Sequence, residues 1–205
     1  FRVWKKNKKV RKIMIITVAS GNPHKVEEMN GINPFKNIVL KKIEGEFDPV
    51  EDGKTFEENA IIKAKAASLI VKDFALADDT GLCVDALNGA PGLHTARYAP
   101  TQDEKIKKLL VALDGVPFEK RTARFICCMV LTDKNGNVVH KTVGKVEGYI
   151  AEEAAGCGGF GYDPIFYVPK YGMTLAELPD GEKNKISHRF NALHPMLEFV
   201  SDNLK

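Results

Sequence analysis

Two adjacent carboxylates, Asp78 and Asp79, follow directly on the apolar run Phe74-Ala75-Leu76-Ala77 and precede Thr80-Gly81-Leu82. A short apolar run of that kind reads as a buried strand, which leaves the acids at the rim of a core. Charge in that position must be paired, hydrogen-bonded or metal-bound. A divalent cation is the usual compensator for an acidic pair, and Mg²⁺ prefers hard carboxylate oxygens. The alternative is a pair of turn residues capping neighbouring N–H groups. In an extended turn the two side chains diverge, so one is expected to face a cleft and the other to orient structure. The order of residues is not the Asp-x-Asp-Gly-Thr pattern of aspartyl-phosphate phosphatases, which disfavours a phosphoenzyme.

With 205 residues the chain is long enough for one large domain or two intimate lobes. No run of about 18 apolar residues is present, so no membrane-spanning helix is expected. The net charge of +3 is misleading. Arg2, Lys5, Lys6, Lys8, Lys9, Arg11 and Lys12 crowd the start without a single acid, and the remainder of the chain is net negative. That distribution argues against a nucleic-acid binder. The basic leader, residues 1–13, lacks the apolar stretch of a signal peptide and is expected to be disordered or non-native, with Met14 as the original start. Cys83, Cys127, Cys128 and Cys157 form no CxxC and no zinc spacing. They read as buried free thiols of a reducing, cytoplasmic setting.

Ile13 to Ala19 is a β-branched apolar run, hence a buried strand, ending at Ser20-Gly21-Asn22-Pro23-His24-Lys25. Asn22 suits a helix N-cap and Pro23 its first position. A strand, a tight polar turn and a helix start together can present N–H groups to phosphate. The spacing is not that of a Walker A loop. Thr55-Phe56-Glu57-Glu58 and Thr101-Gln102-Asp103-Glu104 read as capping boxes opening helices. Phe125–Thr132 and Val138–Gly148 read as a hairpin around Asp133–Asn137. Ser187 is expected to cap a last helix that Pro195 kinks or interrupts. The mixture favours an α/β or α+β chain with a mixed sheet.

Two further segments carry chemistry. Gly156 to Gly161 holds four glycines in six residues, interleaved with Phe160 and followed by Tyr162-Asp163-Pro164. It is either a platform on which a planar base stacks or a tight loop packing its aromatics inward. Lys183, Lys185, His188 and Arg189 gather positive charge around a helix start, where they oppose the helix dipole unless an anion or an oxygen-rich base edge compensates. The alternative is a solvated basic surface.

In order and spacing these segments resemble the inosine triphosphate pyrophosphatase family, the XTP/dITP diphosphatases. The match is carried by Ser20–Lys25, Thr55–Ala60 with Lys63-Ala64, Ala77–Leu82, Val84–Leu87, Pro91-Gly92, Ala96-Arg97-Tyr98, Gly159–Pro164 and Ser187-His188-Arg189, from about Met14 to the C-terminal helix. The resemblance implies an α/β fold, an elongated mixed sheet with two α/β lobes flanking a central cleft, formed by residues 14–205 as one two-lobed domain, and a homodimer. It implies Mg²⁺-dependent cleavage of ITP, dITP and XTP to monophosphate and pyrophosphate. Carried over by position, Asp79 is the catalytic acceptor and a metal residue, and Glu51 the second metal carboxylate. Ser20, Gly21, Asn22, Pro23, His24 and Lys25 hold the phosphates, with Lys183 contributing. Thr80, Phe160, Gly161, Tyr162, Asp163, His188 and Arg189 surround the nucleoside. Ser20 and Thr80 exchange one hydroxyl residue for another relative to the common pattern. A rival from another class is a non-catalytic module that binds purine triphosphates for regulation; it leaves the acidic pair unexplained.

Overall fold

A computed structural model describes residues 13–204, so the basic leader lies outside the described residues except for Ile13. The strands are β1 (Met14–Val18), β2 (Ile38–Lys42), β3 (Ala75–Val84), β4 (Thr122–Thr132), β5 (Val138–Ile150), β6 (Phe166–Val168) and β7 (Met173–Thr174). The helices are α1 (Pro23–Gly31), α2 (Phe56–Val71), α3 (Gln102–Ala112), α4 (Asp180–Ile186) and α5 (His188–Asn203). One mixed sheet runs in the order β2-β1-β3-β4-β5-β6-β7. Pairing is parallel among β2, β1 and β3 and antiparallel from β3 onward.

The register explains the elongated form. Strands β3, β4 and β5 pair along their length, Ala75 with Thr132 at one end and Val84 with Ala123 at the other. Strand β1 meets β3 only at Ala75 and Leu76. Strand β6 meets β5 only at Tyr149 and Ile150. The outer strands therefore attach at diagonally opposite ends of a central three-stranded plate. Apolar packing divides accordingly. At the β1 end, α1 and α5 bury Val26, Met29, Leu193 and Met196 on one face over Leu76 and Met129. On the other face the small residues Ala60, Ala64 and Ala67 of α2 pack on Ala75, Ala77 and Val130. At the β6 end, Leu109 and Ile106 of α3 join Leu82, Phe125, Ile165 and Phe166.

Local signals act as the sequence suggests in most places. Thr55 Oγ1 accepts from the Glu58 N–H, Thr101 forms a full capping box with Glu104, and Ser187 Oγ accepts from the Phe190 N–H. Asp133 Oδ1 accepts the Asn135 and Asn137 N–H groups and closes the β4–β5 hairpin. Gly144 lets α5 lie directly on β5, since a Cβ there would stand 2.1 Å from the His188 carbonyl oxygen.

Four expectations change. Asp78 and Asp79 occupy the middle of β3 rather than a turn after it, because lysines on both faces compensate the charges in place. Pro195 does not interrupt α5, which buries Ala192, Leu193, Met196, Leu197 and Val200. That burial outweighs the roughly 3 kcal/mol penalty of an interior proline. Lys183 and Lys185 lie in the last turn of α4, where they favour the helix dipole; only His188 and Arg189 open α5. Among the cysteines, Cys127 and Cys128 are buried but Cys157 is exposed and Cys83 partly so.

Candidate active site

Because side chains alternate along a strand, adjacent acids in β3 are separated by the sheet itself. Asp78 points with Leu76 toward α1 and α5, and Asp79 points with Ala77 toward α2. Beyond Leu76 the edge of β3 that carried β1 has no strand partner among the described residues until Cys83 bridges to Pro91. Strand β1 leaves β3 there, the Ala19 N–H still donating to the Leu76 carbonyl, and its exit turn has the Asn22 N–H donating to Ser20 Oγ before Pro23 opens α1. Gly81 is required here: a Cβ would stand 2.5 Å from both the Gly92 carbonyl and the Phe56 ring.

On the α2 face, Lys63 Nζ lies 2.9 Å from Asp79 Oδ1 and 3.0 Å from Glu51 Oε2. Asn59, one turn earlier, donates to Asp79 Oδ2 at 3.3 Å and accepts the Gly53 N–H at 2.9 Å. Two residues of one helical stripe thus tie the loop bearing Glu51 to the strand bearing Asp79. Burial raises the Asp79 pKa, as does Glu51, and Lys63 restrains the rise. Burial alone would lower the Lys63 pKa, but Asp79, Asp78 and Glu51 raise it, so the ammonium persists. Two hard carboxylates converging on one cation fit Mg²⁺, which takes one or two carboxylates and completes its shell with water and phosphate oxygens. No group of three or more His, Cys, Asp or Glu suited to a metal occurs among the described residues.

On the opposite face Asp78 is only 2% exposed. Its carboxylate takes Lys25 Nζ at 2.9 Å, Arg189 at 3.5 Å and the Thr80 hydroxyl at 3.3 Å. Burial opposes its charge, yet Lys25 and Arg189 hold the carboxyl well below the usual range. Arg189 also pairs with Glu28 of α1. The guanidinium therefore fastens α1, β3 and α5 together, and its Nε remains without a partner. Thr80 reaches Asp78 first, so its hydroxyl belongs to this network.

The glycine-rich segment adjoins α4 and α5. Asp163 accepts from Lys183 at 2.7 Å and from the Phe160 N–H at 2.8 Å. Lys183 Nζ stands 4.9 Å from the Phe160 ring centroid, and that ring is 54% exposed. The charged partner of Lys183 is thus in the Phe160 loop. The Gly161 N–H donates to Gln102, and the buried Tyr162 hydroxyl donates to the Thr95 carbonyl. Phe160 alone of the loop's two aromatics offers an open face; Tyr162 packs inward. Gly159, at φ +71°, has no room for a side chain beside Asp163 and Lys183.

His188 stacks on Phe125 with ring centroids 4.9 Å apart, and its Nδ1 is buried without a partner. Burial foremost, with Arg189, Lys183 and Lys25 against the pull of Asp78, moves its pKa from 6.5 down to about 3. The folded imidazole is neutral, so the unfolded chain takes up the proton first as pH falls. The stability this contributes is full above pH 6.5 and is lost as pH falls toward 3. The slope in that window is up to about 1.4 kcal/mol per pH unit. His188→Phe keeps a ring on Phe125 and is expected to flatten the fall of the urea midpoint between pH 6.5 and about 4. An unchanged slope would place the effect in other groups.

Sequence reasoning about the site concentrated on Asp79, Glu51, Lys25, the glycine-rich loop and the His188-Arg189 pair. Lys63 and Asn59 stand within the matched motifs but carried no role there, and Glu28 is outside them. The signal for the first two is a lysine and an asparagine one turn apart on a helix face otherwise built of Ala60, Ala64 and Ala67. Glu28 carries no such signal, since the adjacent acids Glu27 and Glu28 on a short polar helix read as solvated. His24 lies in the first turn of α1.

Residues 16–199 match the model of the Ham1 family. The dITP/XTP pyrophosphatase of Treponema denticola is 52% identical over 195 residues, covering 91% of this chain and 98% of its own length. The dITP/XTP pyrophosphatase of Yersinia pestis is 48% identical over 196 residues, covering 91% and 98%. Among solved structures, a HAM1 protein from Coxiella burnetii matches with a TM-score of 0.82 at 41% identity, over 92% of this chain and 99% of that one. The Staphylococcus aureus Ham1 protein matches with a TM-score of 0.83 at 39% identity, over 92% and 98%.

Proposed function

The chain belongs to the Ham1 family, and from this membership and the site geometry we propose that it hydrolyses ITP, dITP and XTP to the nucleoside monophosphate and pyrophosphate, with Mg²⁺. The observation that carries the reading is the convergence of Asp79 and Glu51 on one cation, Lys63, at the unpaired edge of β3. A binding module has no need of two carboxylates held in that way. When bound, Mg²⁺ would supply Lewis-acid neutralisation of the phosphate charge.

Asp79 and Glu51 would hold the cation, and Asp79 would accept a proton from the attacking water. Ser20 to Lys25 would bind phosphate oxygens through turn N–H groups, the Ser20 hydroxyl and the start of α1. The exposed Phe160 ring would stack on the purine, with Asp163 and Lys183 fixing that loop. Lys183 would serve the phosphates only by leaving Asp163. His188 and Arg189 would read the base. Arg189 Nε–H is a buried donor without a partner, and the 6-keto oxygen of inosine and xanthosine is an acceptor. The 6-amino group of adenine would leave that donor unmatched, which is a strong form of rejection.

In this reading residues 14–205 act as one two-lobed domain and the enzyme is a cytoplasmic homodimer. Half-exposed Val143, on the sheet face that carries Asp79, offers apolar area for a second subunit. No described helix is long and apolar enough to cross a membrane.

ITP with Mg²⁺ is expected to yield IMP and pyrophosphate, with ATP turned over at least about a hundredfold more slowly. IDP with orthophosphate would overturn the bond assignment. Tight binding of ITP without turnover would favour the regulatory module.

A further inference from the structure

Lys63 stands out among the charged residues of this chain. It belongs to the alanine stripe of α2, is 8% exposed, and spends its charge on two carboxylates that the proposed reaction needs for another cation. A buried ammonium carries a desolvation penalty of several kcal/mol, which only its partners offset. Asp79 and Glu51 supply that compensation, and Asn59 keeps Asp79 and the Glu51 loop in place around it. A free divalent ion seeking Asp79 and Glu51 meets both Asp79 oxygens and one Glu51 oxygen already engaged, and a positive charge about 3 Å from each carboxylate.

We infer that Lys63 is a resident counter-cation that keeps free divalent ions off Asp79 and Glu51, so that the metal enters together with the triphosphate. This rests on the proposed triphosphate hydrolysis. A metal–triphosphate complex carries net negative charge and brings phosphate oxygens of its own. Lys63 then has another acceptor within the cleft, and its two carboxylates are released to the incoming cation. Lys63 is in this sense a positioning residue. It holds the Glu51 loop closed before substrate arrives and sets the order of binding.

The test uses the full chain without nucleotide and Mn²⁺ alone as the probe, with free Mn²⁺ followed by electron paramagnetic resonance. Wild type and Lys63→Arg are expected to bind Mn²⁺ with Kd above about 1 mM. Lys63→Met, which keeps the volume and removes the charge, is expected to bind at least about tenfold more tightly. Equal or weaker binding by Lys63→Met would overturn the inference. So would a micromolar Kd for the wild type, which decides the matter even if Lys63→Met does not fold. ITP turnover by the wild type is measured separately. Turnover with Mn²⁺ binding indifferent to Lys63 removes the inference and leaves the function standing. Tighter Mn²⁺ binding by Lys63→Met with no turnover by the wild type removes the function and leaves the gating by Lys63.

Discussion

Asp79→Asn is expected to lower kcat on ITP by at least about a thousandfold while the protein stays folded. The amide keeps the shape of the carboxylate, but its single oxygen can accept from Lys63 or from Asn59, not from both in place. It cannot take a proton, and it is a poor ligand for a hard cation. Loss of a positioned general base alone removes roughly 10²–10⁴ in rate, and here a metal oxygen is lost as well. The buried Lys63 retains Glu51, so the stability change is expected to be modest, about 1–2 kcal/mol. The measurements are steady-state pyrophosphate release and a thermal melt of the same preparation. A variant with near-normal kcat would remove Asp79 from the chemistry. One that fails to fold would give its carboxylate a structural role instead.

Asp78→Asn is expected to show the opposite balance, with stability as the principal loss. Asp78 is the shared partner of Lys25 and Arg189, and Arg189 is 4% exposed. Removing its charge leaves the buried Arg189 facing the partly exposed Lys25, with only Glu28 to offset Arg189. Breaking a buried network of this kind costs about 3–5 kcal/mol. For a chain of this length that corresponds to a fall in Tm of about 10 °C. The contribution also has a defined pH sense. Because the folded carboxyl titrates below its ordinary value of 3.8, its stabilisation is present above that value and fades as the pH drops further. A melt within two or three degrees of wild type, about 1 kcal/mol, would show that Lys25 and Arg189 find other partners.

Much of this was legible in the sequence because it depends on local chemistry. Thr55, Thr101 and Ser187 announce helix starts through the hydroxyl that N-cap geometry requires. Asp133 to Asn137 announces a hairpin. The divergence of the Asp78 and Asp79 side chains follows from extended chain, and it survives the change from a turn to a strand. What could not be read was compensation from afar. A charged pair inside a strand looks untenable until Lys25 from α1 and Lys63 from α2 are placed above and below it. Pro195 looks like a helix stop until the apolar face of α5 is laid on the sheet. Lys183 looks like an unpaired cation until Asp163 and the Phe160 ring are found beside it.

The placement of the acids in β3 bears finally on the fidelity of folding. A one-residue slip of β3 would exchange Asp78 and Asp79 between the faces of the sheet, and each would again meet a lysine. Charge is therefore nearly blind to this error. Volume is not. The slip would drive Leu76 against the alanine face of α2 and withdraw Gly81 from the place where Phe56 and Gly92 leave no room for a Cβ. The small residues around the acidic pair thus act as a proofreading device, which rejects a misaligned strand that electrostatics would accept.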